Sequence, residues 1–143
     1  MTHVHGPVLD HPDLDAPHAD LLARAAELAE AVRARQDRKA ATLVDGLLTA
    51  AAQHFATEEE LMDRTAYPDR VAHRTSHDLF LQDLHGSVRE VAVHGVSPRV
   101  IEWATGRLQE WLRFHMEQND RPLAAHLRRV ALQRGVHPAP RRS

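Results

Sequence analysis

The chain has 143 residues, 43% hydrophobic and 27% charged, which suits one folded domain with a single core and excludes a disordered composition. There is no cysteine, so disulfides, thiolate metal sites, iron–sulfur clusters and cysteine nucleophiles are ruled out. The formal net charge of -2 gives no general pull toward nucleic acid or an anionic membrane, whereas 12 histidines, the commonest protein metal ligand, stand against only 3 Phe and 1 Tyr.

Residues 1–17 carry Pro7, Pro12 and Pro17 among scattered Asp and His and read as an extended arm. The start has no basic region followed by an apolar run, and no stretch reaches the roughly 18 uncharged apolar residues of a membrane span. A cytoplasmic protein without a membrane segment is therefore expected. His3, His5 and His11 are expected to be solvated arm residues.

Four long helices follow. The first is expected after Asp15-Ala16-Pro17, with Leu21, Leu22, Ala25, Leu28, Ala29 and Val32 stepping three and four apart. The second runs from about Asp37 to Thr65 on Leu43, Leu47, Ala51, Leu61 and Met62, and Tyr67-Pro68 breaks it. The third begins near Pro68, carries Phe80, Leu81, Leu84, Val88 and Val91, and stops at Gly95. Ser97-Pro98 caps the fourth, which carries Ile101, Ala104, Leu108, Trp111 and Leu112 until Pro122 limits it. A short basic helix near Leu123–Gln133 and a Pro/Arg-rich tail complete the chain. No alternating strand pattern and no repeat is present. The spacing predicts an all-α, antiparallel up-down-up-down four-helix bundle over residues 18–133, with the arm before it and a flexible basic tail over 134–143.

Polar residues interrupt the apolar stripes. The series 43-47-51 continues to His54 and Glu58; His73 and His77 precede Phe80 on one face; 101-104-108-111 runs into His115; His18 leads into Leu21 and Leu22. Buried without partners, each of these groups would cost on the order of several kcal/mol. His54 and Glu58, and His73 and His77, are four apart and project from adjacent turns, so each pair can converge on one centre. His115 and Asp120 are five apart, about 140° around an ideal helix. They share a face only if the helix loosens or ends, and Pro122 is the expected cause, with Asp120 turning in from a fraying end. Five imidazoles and two carboxylates exceed the needs of one ion. Nitrogen and oxygen donors without sulfur suit iron, manganese or zinc, and the carboxylates imply two bridged ions. The paired E-x-x-H motifs of the ferritin-like di-iron class are absent from these stripes.

His18, the segment His54-Phe55-Ala56-Thr57-Glu58-Glu59, Tyr67-Pro68, His73-x-x-x-His77-Asp78-x-Phe80 and Trp111-Leu112-x-x-His115-Met116-x-x-x-Asp120 together resemble the hemerythrins, and in particular the stand-alone bacteriohemerythrins, from about Leu14 to Leu127. The resemblance implies two iron ions in an oxo- or hydroxo-bridged non-haem centre that binds O2 reversibly. It assigns His73, His77 and His115 to one iron and His18 and His54 to the other, with Glu58 and Asp120 bridging. It also implies an apolar O2 pocket, for which Leu21, Phe55, Trp111, Leu112 and Met116 lie at suitable spacing, with no Tyr, Cys or extra carboxylate next to the ligands on these stripes. The chain departs from the family's usual pattern in lacking an aromatic residue before the first helix, in Pro17 before His18, and in Leu123 where Tyr is common.

The expected function is O2 carriage, storage or delivery, with O2 as the small-molecule partner and no catalytic residues. Two rivals remain: reduction of peroxide or nitric oxide at the same centre, and O2 or iron sensing. The last is disfavoured because no signalling module is attached. His85, His94, His126 and His137 read as surface residues, and the arginines at 128, 129, 134, 141 and 142 as solvated charge.

Overall fold

Helix termini are set by local chemistry that can be followed residue by residue. In the computed structural model, residues 12–135 are described; His3, His5, His11, His137 and most of the predicted arm and tail lie outside them. Helix α1 spans Pro12–Arg33, α2 spans Asp37–Arg64 and α3 spans Arg70–His94. The fourth helix, α4, covers 98–133 without interruption. It consists of α-helical Pro98–Glu102, a π turn Trp103–Arg107, α-helical Leu108–His115, a second π turn Met116–Asp120 and α-helical Arg121–Gln133. Among the described residues there is no strand, and no helix is long and apolar enough to cross a membrane. The four helices pack as the predicted bundle, with connections of a few residues between antiparallel neighbours.

Two boundaries differ from the sequence reading. Helix α1 starts at Pro12, not after Pro17, so Pro17 sits inside it. Proline is well suited to a first helical position, and the added turn buries Leu14 completely. That burial, worth about 2 kcal/mol, offsets the backbone hydrogen bond that Pro17 cannot make. The second difference is that Pro122 does not end α4. The π turn before it, closed by Arg121 N–H on Met116 O, widens the helix where the proline ring must fit.

The turns are built from local hydrogen bonds. After α1, Gln36 N–H reaches Ala31 O and Arg35 N–H reaches Val32 O; after α2, Tyr67 N–H reaches Met62 O and Ala66 N–H reaches Asp63 O. Both are Schellman-type ends, and the left-handed residue is Arg35 (φ 55°) in one and Ala66 (φ 50°) in the other. After α3 the left-handed position is Gly95 (φ 66°), where an added Cβ would lie 2.7 Å from the Asp37 carboxylate. That carboxylate accepts from Val96 N–H at 3.0 Å. Ser97 caps α4 by accepting from Val100 N–H at 3.2 Å.

The core is in two parts. A larger apolar cluster fills the end containing Val32, Ala40, Val91 and Trp103; a smaller one, of Leu14, Met62, Tyr67, Leu123, Ala124 and Leu127, closes the other end. Between them lies a layer of buried polar side chains.

Candidate metal centre

All four helices contribute to that layer. His18 comes from α1, His54 and Glu58 from α2, His73 and His77 from α3, and His115 and Asp120 from α4; each is at most 6% exposed. The second π turn puts Asp120 in the layer. With the hydrogen bond spanning five residues, Asp120 comes back over His115, and the pair that α geometry would separate by about 140° stands 3.2 Å apart. The expected fraying end is thus replaced by an intact helix with one widened turn.

All five imidazoles turn Nε2 inward. Glu58 Oε1 lies 3.1 Å from His73 and 3.0 Å from His77, and Oε2 lies 3.2 Å from His18 and 2.5 Å from His54. Asp120 Oδ1 lies 3.0 Å from His73, and Oδ2 lies 2.9 Å from His18. The donors fall into two overlapping groups, His73, His77 and His115 with both carboxylates, and His18 and His54 with the same two carboxylates, each group's atoms lying within 4.8 Å of one another.

Hydrogen bonding alone does not satisfy this layer. His54 Nε2, His115 Nε2 and Asp120 Oδ1 are fully buried and lack a partner of hydrogen-bond geometry, although each has a donor or acceptor close by. Lone pairs that converge without sharing protons are what a cation requires, and the nitrogen and oxygen donor set fits a first-row divalent metal. Without a cation, protons hold the layer together. Burial opposes a charged His18, but Asp120 and Glu58 outweigh it and hold the imidazole up at about 9; the same balance, with the same carboxylates, raises His73 to about 9. Burial would raise Glu58, yet its contacts with His18, His54, His73 and His77 keep it well below the usual carboxylate range. Asp120 is likewise depressed: burial and the Glu58 charge act upward, and His115, His18 and His73 prevail. His115 goes the other way, lowered chiefly by burial.

Around these side chains, aromatic rings act as braces. Phe55 stacks on His77 (4.0 Å between centroids, 7° between planes) and lies 6.0 Å from the His54 ring. Trp111 stacks on His115 (4.6 Å, 10°) and on Phe80 (4.1 Å, 19°). Of the predicted pocket residues, Leu21, Phe55, Leu112 and Met116 are buried in the larger cluster. Trp111 is only partly buried, and with Leu79, Phe80 and Arg107 it lines a surface groove of about 410 Å³ between α3 and α4.

The stripes themselves carry no tyrosine or further carboxylate next to these side chains, as read from the sequence, but one of each approaches from off the stripes. Glu59 Oε2 lies 2.9 Å from His77 Nδ1. Tyr67 is buried, its ring 6.4 Å from that of His73, and burial raises its phenol above the ordinary 10. Stripe reasoning misses both because neither lies on a stripe. Glu59 reaches its histidine from the helix edge, and Tyr67 is drawn in by the Schellman turn, which sets the residue after Ala66 against Met62. The Glu next to an inward Glu58 and the aromatic residue closing α2 were the available signals. His126 is also not a surface residue: it is half-buried, 3.1 Å from Thr65 O and 4.9 Å from the Tyr67 ring. His85 and His94 are exposed as expected.

No curated protein matches the sequence. The family description "Hemerythrin HHE cation binding domain" matches residues 10–127, a span that reaches all four helices and includes every inward histidine and carboxylate just described. The chain belongs to the hemerythrin family.

Proposed function

We propose that this protein binds O2 reversibly at a non-haem di-iron centre and carries, stores or delivers it. The observation that supports this most is the sharing of Glu58 and Asp120 by two donor groups of unequal size. Two carboxylates reached from both sides suit two ions better than one. Three imidazoles in one group and two in the other give the second ion fewer protein donors, leaving it the natural place for an exogenous ligand. Two irons bound there would supply the reversible exchange of electrons with O2. His73, His77 and His115 would hold one, His18 and His54 the other, and Glu58 and Asp120 both.

The remaining residues determine whether O2 is released unchanged. Leu21, Leu112 and Met116, each at most 2% exposed, together with Phe55 against His54, exclude water and proton donors from the ligands. Phe55 and Trp111 hold the rings of His77 and His115 flat, which fixes the direction of each lone pair.

Metal analysis with an optical spectrum of aerobically purified protein tests the reading. About two irons per chain are expected, with charge-transfer bands that bleach on reduction and deoxygenation and return with O2. His54→Ala and His77→Ala should abolish the bands; wild-type iron content and spectrum in both variants would reject the ligand assignment. A second reading, reduction of peroxide or nitric oxide, draws on the oxidisable Tyr67 near His73 and on partly exposed Trp111 against His115. Sustained consumption of either substrate with a reductant in stopped flow would favour it over carriage.

A further inference from the structure

With every Nε2 turned to the centre, each ligand imidazole presents Nδ1 outward, and the five are not treated alike. His18, His54 and His73 have Nδ1 buried with no partner. His115 Nδ1 meets a neutral hydroxyl, Ser76 Oγ, at 3.0 Å. His77 alone of the five meets a carboxylate, Glu59 Oε2, at 2.9 Å. That carboxylate is held from its far side: Oε1 lies 3.4 Å from Arg74 Nε, and Arg74 in turn donates to Asp63 at 3.0 Å. Glu59 is about three-quarters buried, so its contact with His77 is only partly screened by water.

We propose that Glu59 is a positioning residue for His77. It accepts the Nδ1 proton, which fixes the tautomer that leaves the Nε2 lone pair facing the metal. Its charge makes that lone pair a stronger donor, so that the ion held by His73, His77 and His115 binds more tightly than the one held by His18 and His54. Arg74 keeps Glu59 aimed inward, and Phe55 stacked on the imidazole keeps the ring from turning away. This rests on the metal-centre reading above but not on O2. Carboxylate partners of metal-bound histidine strengthen binding in this manner, and losing one costs roughly 10- to 100-fold in metal affinity.

The test uses Zn(II) added to the metal-free full-length protein, followed by calorimetry and competition with a chelator. Glu59→Gln keeps an acceptor oxygen but removes the charge; Glu59→Ala removes both. Glu60→Gln is the control, the same change of charge on an exposed neighbour 4.0 Å from Arg64. Glu59→Ala should weaken one of two sites by roughly 10- to 100-fold and leave the other site and the helix content unchanged, with Glu59→Gln between it and wild type and Glu60→Gln at wild type. In the Zn(II)-loaded protein, ¹⁵N-resolved NMR should find the His77 Nδ1 proton downfield of those of the other ligands, moving upfield in both Glu59 variants and unmoved in Glu60→Gln. Unchanged affinity and proton shift in the Glu59 variants would overturn the proposal. So would equal weakening of both sites with loss of helix in both variants, or a wild type that takes up no Zn(II). Iron uptake without reversible O2 binding would reject the carrier reading and leave the Zn(II) result standing.

Discussion

His115 and Asp120 are five residues apart on one unbroken helix, yet Nε2 of the first lies 3.2 Å from Oδ1 of the second. The π turn Met116–Asp120 makes this possible by fitting an extra residue into one turn. Deleting exposed Gln118 should therefore leave an ordinary α turn with the aspartate four residues after His115. At about 100° per residue that is only about 40° from the histidine's own direction. Metal content per chain should survive, while stability falls by about 3 kcal/mol because Pro122 then sits in a turn without room for it. Pro122→Ala in the deletion background should recover most of the loss. Metal analysis and urea denaturation check both; a deletion variant that loses its metal would mean that the π geometry itself sets the carboxylate.

The sequence made most of this centre legible because a histidine on an apolar stripe violates the helical pattern, and His54, His73, His77 and His18 all do so at spacings that need no knowledge of the fold. Asp120 was legible only on the premise that the helix loosens or ends near Pro122, since ideal helix geometry argues against it. A π turn has no compositional signature of its own; the signal was Pro122, read as a helix end when it marked a widened turn. Glu59 is the middle of three consecutive glutamates and lies off the inward stripe, and only the packing of α3 against α2 separates it from Glu60. The early start at Pro12 was hidden because three prolines in seventeen residues resemble an arm, and the burial of Leu14 that decides the matter is a tertiary contact.

Ala66 offers a test of the turn that brings Tyr67 under the site. Its φ of 50° is left-handed, costing an L-residue roughly 1–2 kcal/mol that glycine does not pay. Its side chain is exposed, so nothing is lost from the core. Ala66→Gly should stabilise the metal-free protein by about 0.5–1 kcal/mol, allowing for the greater freedom of glycine in the unfolded chain, as a higher urea midpoint at unchanged slope. A lower midpoint would show that the Schellman geometry is not what holds this connection.

Protons stand in for cations in the metal-free layer, which fixes the sign of its pH dependence. His18 and His73 are raised from 6.5 to about 9, so their stabilisation is fully present below pH 6.5 and is lost as pH rises through 9. Glu58 and Asp120 are depressed, so theirs is present above the ordinary carboxylate range and is lost as pH falls through their lower folded values. With chelator present, Tm should fall by several degrees between pH 6 and pH 9. Metal competes with those same protons, so the rise in Tm that metal produces should be larger at pH 9 than at pH 6. A metal-free Tm that climbs over this range would contradict the protonated pairing of His18 and His73 with the carboxylates.

Removing the metal should loosen the two ends of the bundle unequally. Among the described residues the larger apolar cluster holds twenty buried side chains and the smaller only six, on the far side of the polar layer. The smaller cluster joins the first turn of α1, the end of α2 and the last segment of α4, so it depends on the layer to register those elements. Metal at one hundred times its dissociation constant adds about 2.7 kcal/mol to the folded state, a large share for so small a cluster to lose. Hydrogen exchange after chelation should therefore accelerate most in residues 12–18 and 116–127, while amides near Val32, Val44 and Val100 keep nearly their metal-bound protection. Uniform acceleration along all four helices would instead mean that the bundle opens as one unit and that the polar layer does not divide it.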